Sequence, residues 1–211
     1  MSMLPFNAED LTFDEQRFRG ATRLFPLPDL VMYPHVVQPL HVFESRYREM
    51  LNEALDGDGL ITMCLLDDGW EADYDSRPAV YPFACLGKVI THRRLADGTY
   101  NLMLRGQRRV RLLEELPPHR SYREARVELL EDLYPAEGES RRDRQQSRLL
   151  TAFQEALPED ALPAATLREL LAAKAPLGVL TDLVAFALPL APSLKRELLA
   201  ECNVDRRAAR L

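Results

Sequence analysis

The sequence predicts an α+β fold: a β-rich region with one inserted helix, followed by an α-helical bundle. Three observations predict it. Short apolar stretches punctuated by Pro and Gly fill residues 22–130. Within them, residues 44–56 carry their apolar side chains at helical spacing. Beyond about residue 135 the apolar residues recur at helical spacing throughout.

The elements follow in order. Residues 1–21, polar and mixed in sign, read as an N-terminal arm. Thr22–Pro26 and Val36–Leu40 read as short strands, with Pro26, Pro28, Pro34 and Pro39 keeping them short or at an edge. Glu44 to Asp56 reads as a helix, because Tyr47, Met50, Leu51, Ala54 and Leu55 share one face. Glu44 and Arg48 add a favourable i, i+4 pair, and Gly57 and Gly59 stop the helix. Leu60–Leu66 is continuously apolar, the signature of a buried central strand. Residues 67–82 are acidic and aromatic and read as a long loop or ragged hairpin.

Residues 83–131 read as an antiparallel meander. Asp97-Gly98 is the hairpin signal, since a type I′ turn requires positive φ. Tyr100, Leu102 and Leu104 alternate with Asn101, Met103 and Arg105, and Gly106-Gln107 is read as a further turn. Ala125, Val127 and Leu129 form the inner face of a last strand. In the bundle, Leu149, Leu150, Phe153 and Leu157 make one stripe, Leu162 to Ala173 a second helix, and Leu177, Leu180, Val184 and Leu188 a third stripe. Ser193 is the expected N-cap of a fourth helix and Asp205 of a short fifth. The boundaries are an arm at 1–21, a β-rich part at 22–134 and a helical part at 135–211.

Composition narrows the function. A net charge of −6 argues against general affinity for nucleic acid. Cys64, Cys85 and Cys202 are odd in number and widely spaced, which suits neither a disulfide framework nor a zinc site and points to a reducing compartment. No leader-like basic and apolar run opens the chain, and the longest uncharged apolar stretch is too short to span a bilayer, so a cytoplasmic location is expected. Nothing matches a phosphate-cradling G-x-x-x-x-G-K-[ST] loop around Lys88. The lysines, Lys88, Lys174 and Lys195, form no Ser–Lys catalytic spacing; Ser193 and Lys195 would diverge on a helix. His35, His41, His92 and His119 lack the grouping of a metal site, and the acidic loop at Asp67, Asp68, Glu71, Asp73 and Asp75 lacks the order of a calcium loop. No cofactor, metal or catalytic residue is expected.

Residues 24–51, two Pro-punctuated extended segments running into FESRY and an amphipathic helix, resemble the opening of the N-terminal, substrate-binding domain of Lon proteases. Ser45 stands where that pentad usually has proline. Gly87, Asp97, Gly98, Gly106, Arg109 and Arg111 carry a further similarity, as do Lys195, Leu198, Leu199, Asp205 and Arg206 near the end. The resemblance runs from about residue 22 onward and implies a PUA-like β pseudo-barrel followed by a helical bundle. It further implies a stand-alone recognition module without the ATPase and protease parts. Its expected partners are unfolded or client proteins and a separate ATPase or protease; a helical bundle also permits a weak homodimer.

Within that reading, residue type and loop position single out Trp70, Tyr74, Arg77 and Tyr81, with Pro34 and His35 at the barrel rim, as protein-binding residues. The alternative is an RNA-binding module. Residues 88–126 hold ten Lys or Arg against four Asp or Glu, and its contacts would be Arg93, Arg94, Arg105, Arg108 and Arg109. Against it, arginines on an outer strand face pair readily with glutamates such as Glu114, Glu115 and Glu124, and the span lacks aromatic stacking platforms.

Overall fold

The computed structural model describes residues 13–73, 76–156 and 175–211. The chain divides into two compact units, Met1–Leu129 and Leu130–Leu211.

The first unit is built from β1 (Ala21–Leu27), β2 (Val37–Val42), α1 (Ser45–Asp56), β3 (Leu60–Leu65), β4 (Phe83–Arg94), β5 (Tyr100–Glu115) and β6 (Arg123–Leu130). The sheet order is β2-β5-β4-β3-β1-β6, and β5 also pairs with β6. Strands β5, β4, β3, β1 and β6 therefore close on themselves, leaving β2 as an extra strand on the first half of β5. Closure removes the free edges of the barrel strands and leaves one at β2. β1 and β3 are parallel, Leu24 opposite Thr62, which requires the crossover that α1 supplies.

The apolar stripe of α1 is buried at Tyr47, Met50, Leu51 and Ala54. It packs with Phe25, Met32, Ile61, Met63, Leu102 and Leu104. A second cluster, including Leu24, Cys64, Leu86, Val110 and Val127, fills the rest of the barrel. β3 is buried at every position, as its unbroken apolar run demands. Burying each such side chain contributes roughly 1.5–3 kcal/mol. Glu44 precedes α1 and pairs with Arg46 at 2.9 Å, while Arg48 donates to the Gly98 carbonyl at 3.4 Å, so the expected Glu44–Arg48 pairing is not the one made.

Gly106 is not a turn. β5 runs straight through it, and its role is close approach: a Cβ there would lie 2.1 Å from the Tyr33 carbonyl oxygen. The Gly106 N–H donates to Val36 O at 2.8 Å, and the His35 N–H donates to Gly106 O at 2.9 Å. In residues 67–82 the chain makes a short 3-10 turn at Trp70–Asp73, and Leu66 bridges to Val80.

The second unit contains α2 (Glu139–Ala156), α3 (Leu177–Ala187), α4 (Pro192–Ala200) and α5 (Val204–Arg210). Leu149, Leu150, Phe153, Leu177, Leu180 and Val184 form its core, and Leu188 packs against it. Leu157 and the helix expected at Leu162 to Ala173 lie outside the described residues. Two expected caps are displaced. Ala191, not Ser193, holds the N-cap position of α4, with Pro192 in the first turn. Asn203, not Asp205, caps α5, its side chain accepting from the N–H groups of Asp205 and Arg206. Asp205 instead pairs with Arg142 at 2.8 Å. At the centre Arg207 is fully buried, 2.7 Å from Asp132 and 3.4 Å from the equally buried Asp182. It also donates to Thr181 Oγ1 and the Glu201 carbonyl, each at 2.8 Å, satisfying most of its fork.

Candidate protein-interaction surface

The residues expected to bind protein are differently placed. Pro34 is buried. His35 is exposed and sits at φ 67°, a left-handed conformation uncommon outside glycine. Trp70 and Tyr81 are half-buried, and the Tyr81 ring tilts against Phe83 with centroids 5.9 Å apart. Arg77 is exposed, 3.8 Å from Glu115. Tyr74 lies outside the described residues. Arg77 does line a polar cleft with Arg46, Arg120, Tyr122 and Arg123, but these arginines face Glu44, Glu53 and Glu115.

The arginine band resolves into distinct environments. Arg109 is 3% exposed, so its guanidinium is not available to a phosphate backbone. Arg108 lies 2.5 Å from Glu15 and over the Phe13 ring. Arg94 lies over Tyr100. Arg111 pairs with Glu128 and Arg126 with Glu114, as outer-face arginines do when glutamates stand across the strand. Arg93 and Arg105 are exposed, and no carboxylate pairs with either among the described residues.

The outward face of β2 and β5 carries an apolar patch. Among the described residues Val37 (43% exposed), Phe43 (62%) and Met103 (39%) are exposed large apolar residues. Side chains alternate across a strand. Val37, Pro39 and His41 therefore point outward from β2, opposite Arg105, Met103 and Asn101 of β5. Thr91 and Arg93 of β4 continue those rows. His41 meets Asn101 Oδ1 at 2.8 Å and stacks on Phe43 at 6.1 Å. A shallow depression of about 560 Å³ lies over Pro39, Met103 and Thr91. Sequence reasoning missed Val37, Phe43 and Met103 as a surface. The signal was present: Met103 is the apolar residue in the polar register of β5, between Asn101 and Arg105.

The backbone edge of β2 is blunted. Val36 turns its carbonyl to Gly106, so by alternation Val37, Pro39 and His41 turn their backbone groups away from β5. Proline lacks an N–H, and Pro39 at that edge interrupts any added ladder. The side-chain face, rather than the strand edge, is what the surface offers.

Other chemistry is sparse. Among the described residues no group of three or more His, Cys, Asp or Glu is placed to hold a metal ion. No described helix is long and apolar enough to cross a membrane. Cys64 and Cys85 are buried and not joined in a disulfide. Burial pushes the Cys64 thiol up to about 12, far from a nucleophilic thiolate.

Residues 21–211 match the family model of the ATP-dependent protease La (LON) substrate-binding domain. The chain belongs to that family. Among its curated relatives, Lon protease 2 of Syntrophobacter fumaroxidans is 33% identical over 106 residues, half of this chain. Lon protease 1 of Bdellovibrio bacteriovorus is 27% identical over 197 residues, 91% of this chain. The matches span 13% and 24% of those two proteases. The Lon N-terminal domain protein from Xanthomonas campestris has the same fold, with a TM-score of 0.64, 22% identity and coverage of 90% of this chain and 95% of that one. The N-terminal domain of Mycobacterium avium complex Lon protease aligns with a TM-score of 0.66, 17% identity and coverage of 90% and 94%. The closed barrel with its extra strand and the helices that follow are thus the Lon N-terminal fold, and the apolar face spans the strand added outside its barrel closure and the part of β5 it pairs with.

Proposed function

We propose that the chain is a non-catalytic recognition module that binds exposed apolar segments of client proteins and acts beside a separate ATPase or protease. Family membership supports a substrate-binding role. The observation that carries the reading is the outward apolar face at Val37, Pro39, Phe43 and Met103. Exposed apolar patches rimmed by polar groups mark interaction sites. Affinity for an unfolded segment is expected near micromolar, about −8 kcal/mol, because the segment loses entropy on binding.

The test is titration of a reduced, alkylated and permanently unfolded protein against wild type, Val37→Ser/Met103→Ser and Trp70→Ala. The face reading predicts about tenfold weaker binding in the first variant and little change in the second. Loss in Trp70→Ala alone would move the site to the loop that carries Trp70, Arg77 and Tyr81. An RNA interaction through the arginine band has less support, since Arg109 is buried and Arg108 is paired.

A further inference from the structure

We propose that this face selects apolar segments flanked by acidic residues, in the pattern acid–x–apolar–x–acid along an extended chain. The inference rests on the client-recognition reading and adds a charge requirement to it.

The contrast among the arginines carries the argument. On the barrel strands Arg108, Arg111, Arg123 and Arg126 each meet a glutamate. Arg93 and Arg105 are exposed without a carboxylate partner among the described residues, and both border the apolar face. The sheet fixes their spacing. Arg105 stands opposite Val37, Met103 is the next outward position on β5, and Asn101 follows with Arg93 beside it on β4. The Arg105 and Arg93 rows are thus four residues apart, about 13 Å along the strand.

An extended peptide has that same rise, and its residues i, i+2 and i+4 share one face. An acidic residue at i would reach Arg105, an apolar one at i+2 would cover Met103, and an acidic one at i+4 would reach Arg93. Guanidinium and carboxylate pair through two parallel hydrogen bonds, so the recognition is directional as well as electrostatic. The middle of the face is aliphatic, with Val37, Pro39 and Met103. A nucleic acid spanning the same arginines would meet aromatic rings only at the Asn101 end of the face, where His41 and Phe43 stack on each other.

The test is fluorescence anisotropy on the full chain with two labelled peptides, one repeating Glu-Ser-Leu-Ser and one repeating Gln-Ser-Leu-Ser. A labelled oligouridine serves as the third probe. Wild type is expected to prefer the Glu peptide about tenfold, or about 1.4 kcal/mol, with the preference shrinking in salt. Arg93→Gln/Arg105→Gln is expected to abolish the preference while binding the Gln peptide as wild type does, with an unchanged thermal melt. Equal binding of both peptides by wild type, or a preference that survives the double substitution, would overturn the charge requirement. So would oligouridine binding that the double substitution removes while peptide binding stays. If neither peptide binds wild type, or Val37→Ser/Met103→Ser leaves both affinities unchanged, the recognition reading fails with it.

Discussion

Gly106→Ala separates a steric requirement from a conformational one. The added Cβ would sit 2.1 Å from the Tyr33 carbonyl oxygen, 2.9 Å from its carbon and 3.0 Å from Pro34 Cα. Ordinary contact begins near ~3.5 Å, so two backbones must part by about 1.4 Å. Parting them breaks the His35–Gly106 and Gly106–Val36 hydrogen bonds, worth about 0.5–1.5 kcal/mol each. The local overpacking costs about 1–3 kcal/mol more. The stiffer unfolded chain returns about 0.4–1 kcal/mol, leaving a net loss of about 3 kcal/mol. Gly69 is the control, because φ is +85° there and nothing lies within 4 Å of an added Cβ. Gly69→Ala carries only the left-handed cost, about 1 kcal/mol. Urea unfolding followed by the fluorescence of Trp70, the single tryptophan, reports on the unit that contains both glycines. A loss below about 1 kcal/mol in Gly106→Ala, or one no larger than in Gly69→Ala, would refute the close-approach account.

Three further outcomes follow from the same structure. Arg207→Met removes the buried guanidinium that pairs with Asp132 and Asp182 and is expected to destabilise the helical unit by about 3–5 kcal/mol, read by circular dichroism during thermal unfolding. Cys64 and Cys85 are expected to resist a thiol reagent in the native state, while the half-buried Cys202 reacts first, as peptide mapping after a timed quench would show. Because the folded Cys64 thiol keeps its proton to about 12, its contribution to stability is complete below the unfolded-state value near ~8.5. That contribution is lost as pH rises from there through 12, so unfolding titrations at rising alkaline pH should show a falling midpoint that Cys64→Ala flattens.

Local pattern made much of the fold legible. The α1 stripe and the continuous apolar β3 each follow from neighbours in the chain, as does a hairpin at Asp97-Gly98 with Gly98 at φ 82°. The turn is not the expected type I′: Asp97 takes no positive φ, and the Leu95 N–H donates to Thr99 O at 2.8 Å around the three-residue loop 96–98. Gly106 was misread because its reason is long-range: the backbone it must admit belongs to Tyr33 and Pro34, some seventy residues earlier. The parallel pairing of β1 with β3 and the closure of β5 on β6 are likewise set by distant partners. Both caps were missed by two positions because Ser193 and Asp205 compete with Ala191–Pro192 and Asn203, and Asp205 is committed to Arg142. The exposed apolar patch was hidden for another reason. Residue type drew attention to Trp70 and Tyr81, whereas exposure depends on which side of the sheet a strand presents, and that put Val37, Phe43 and Met103 outside.

The most direct test of the recognition account is hydrogen exchange of the chain with and without the unfolded, alkylated client protein, read by mass spectrometry. The account predicts slowed exchange in peptides covering Val37–Val42 and the Tyr100–Arg105 half of β5, with residues 76–82 unchanged. Protection confined to residues 76–82, or none on β2 at saturating client, would contradict it.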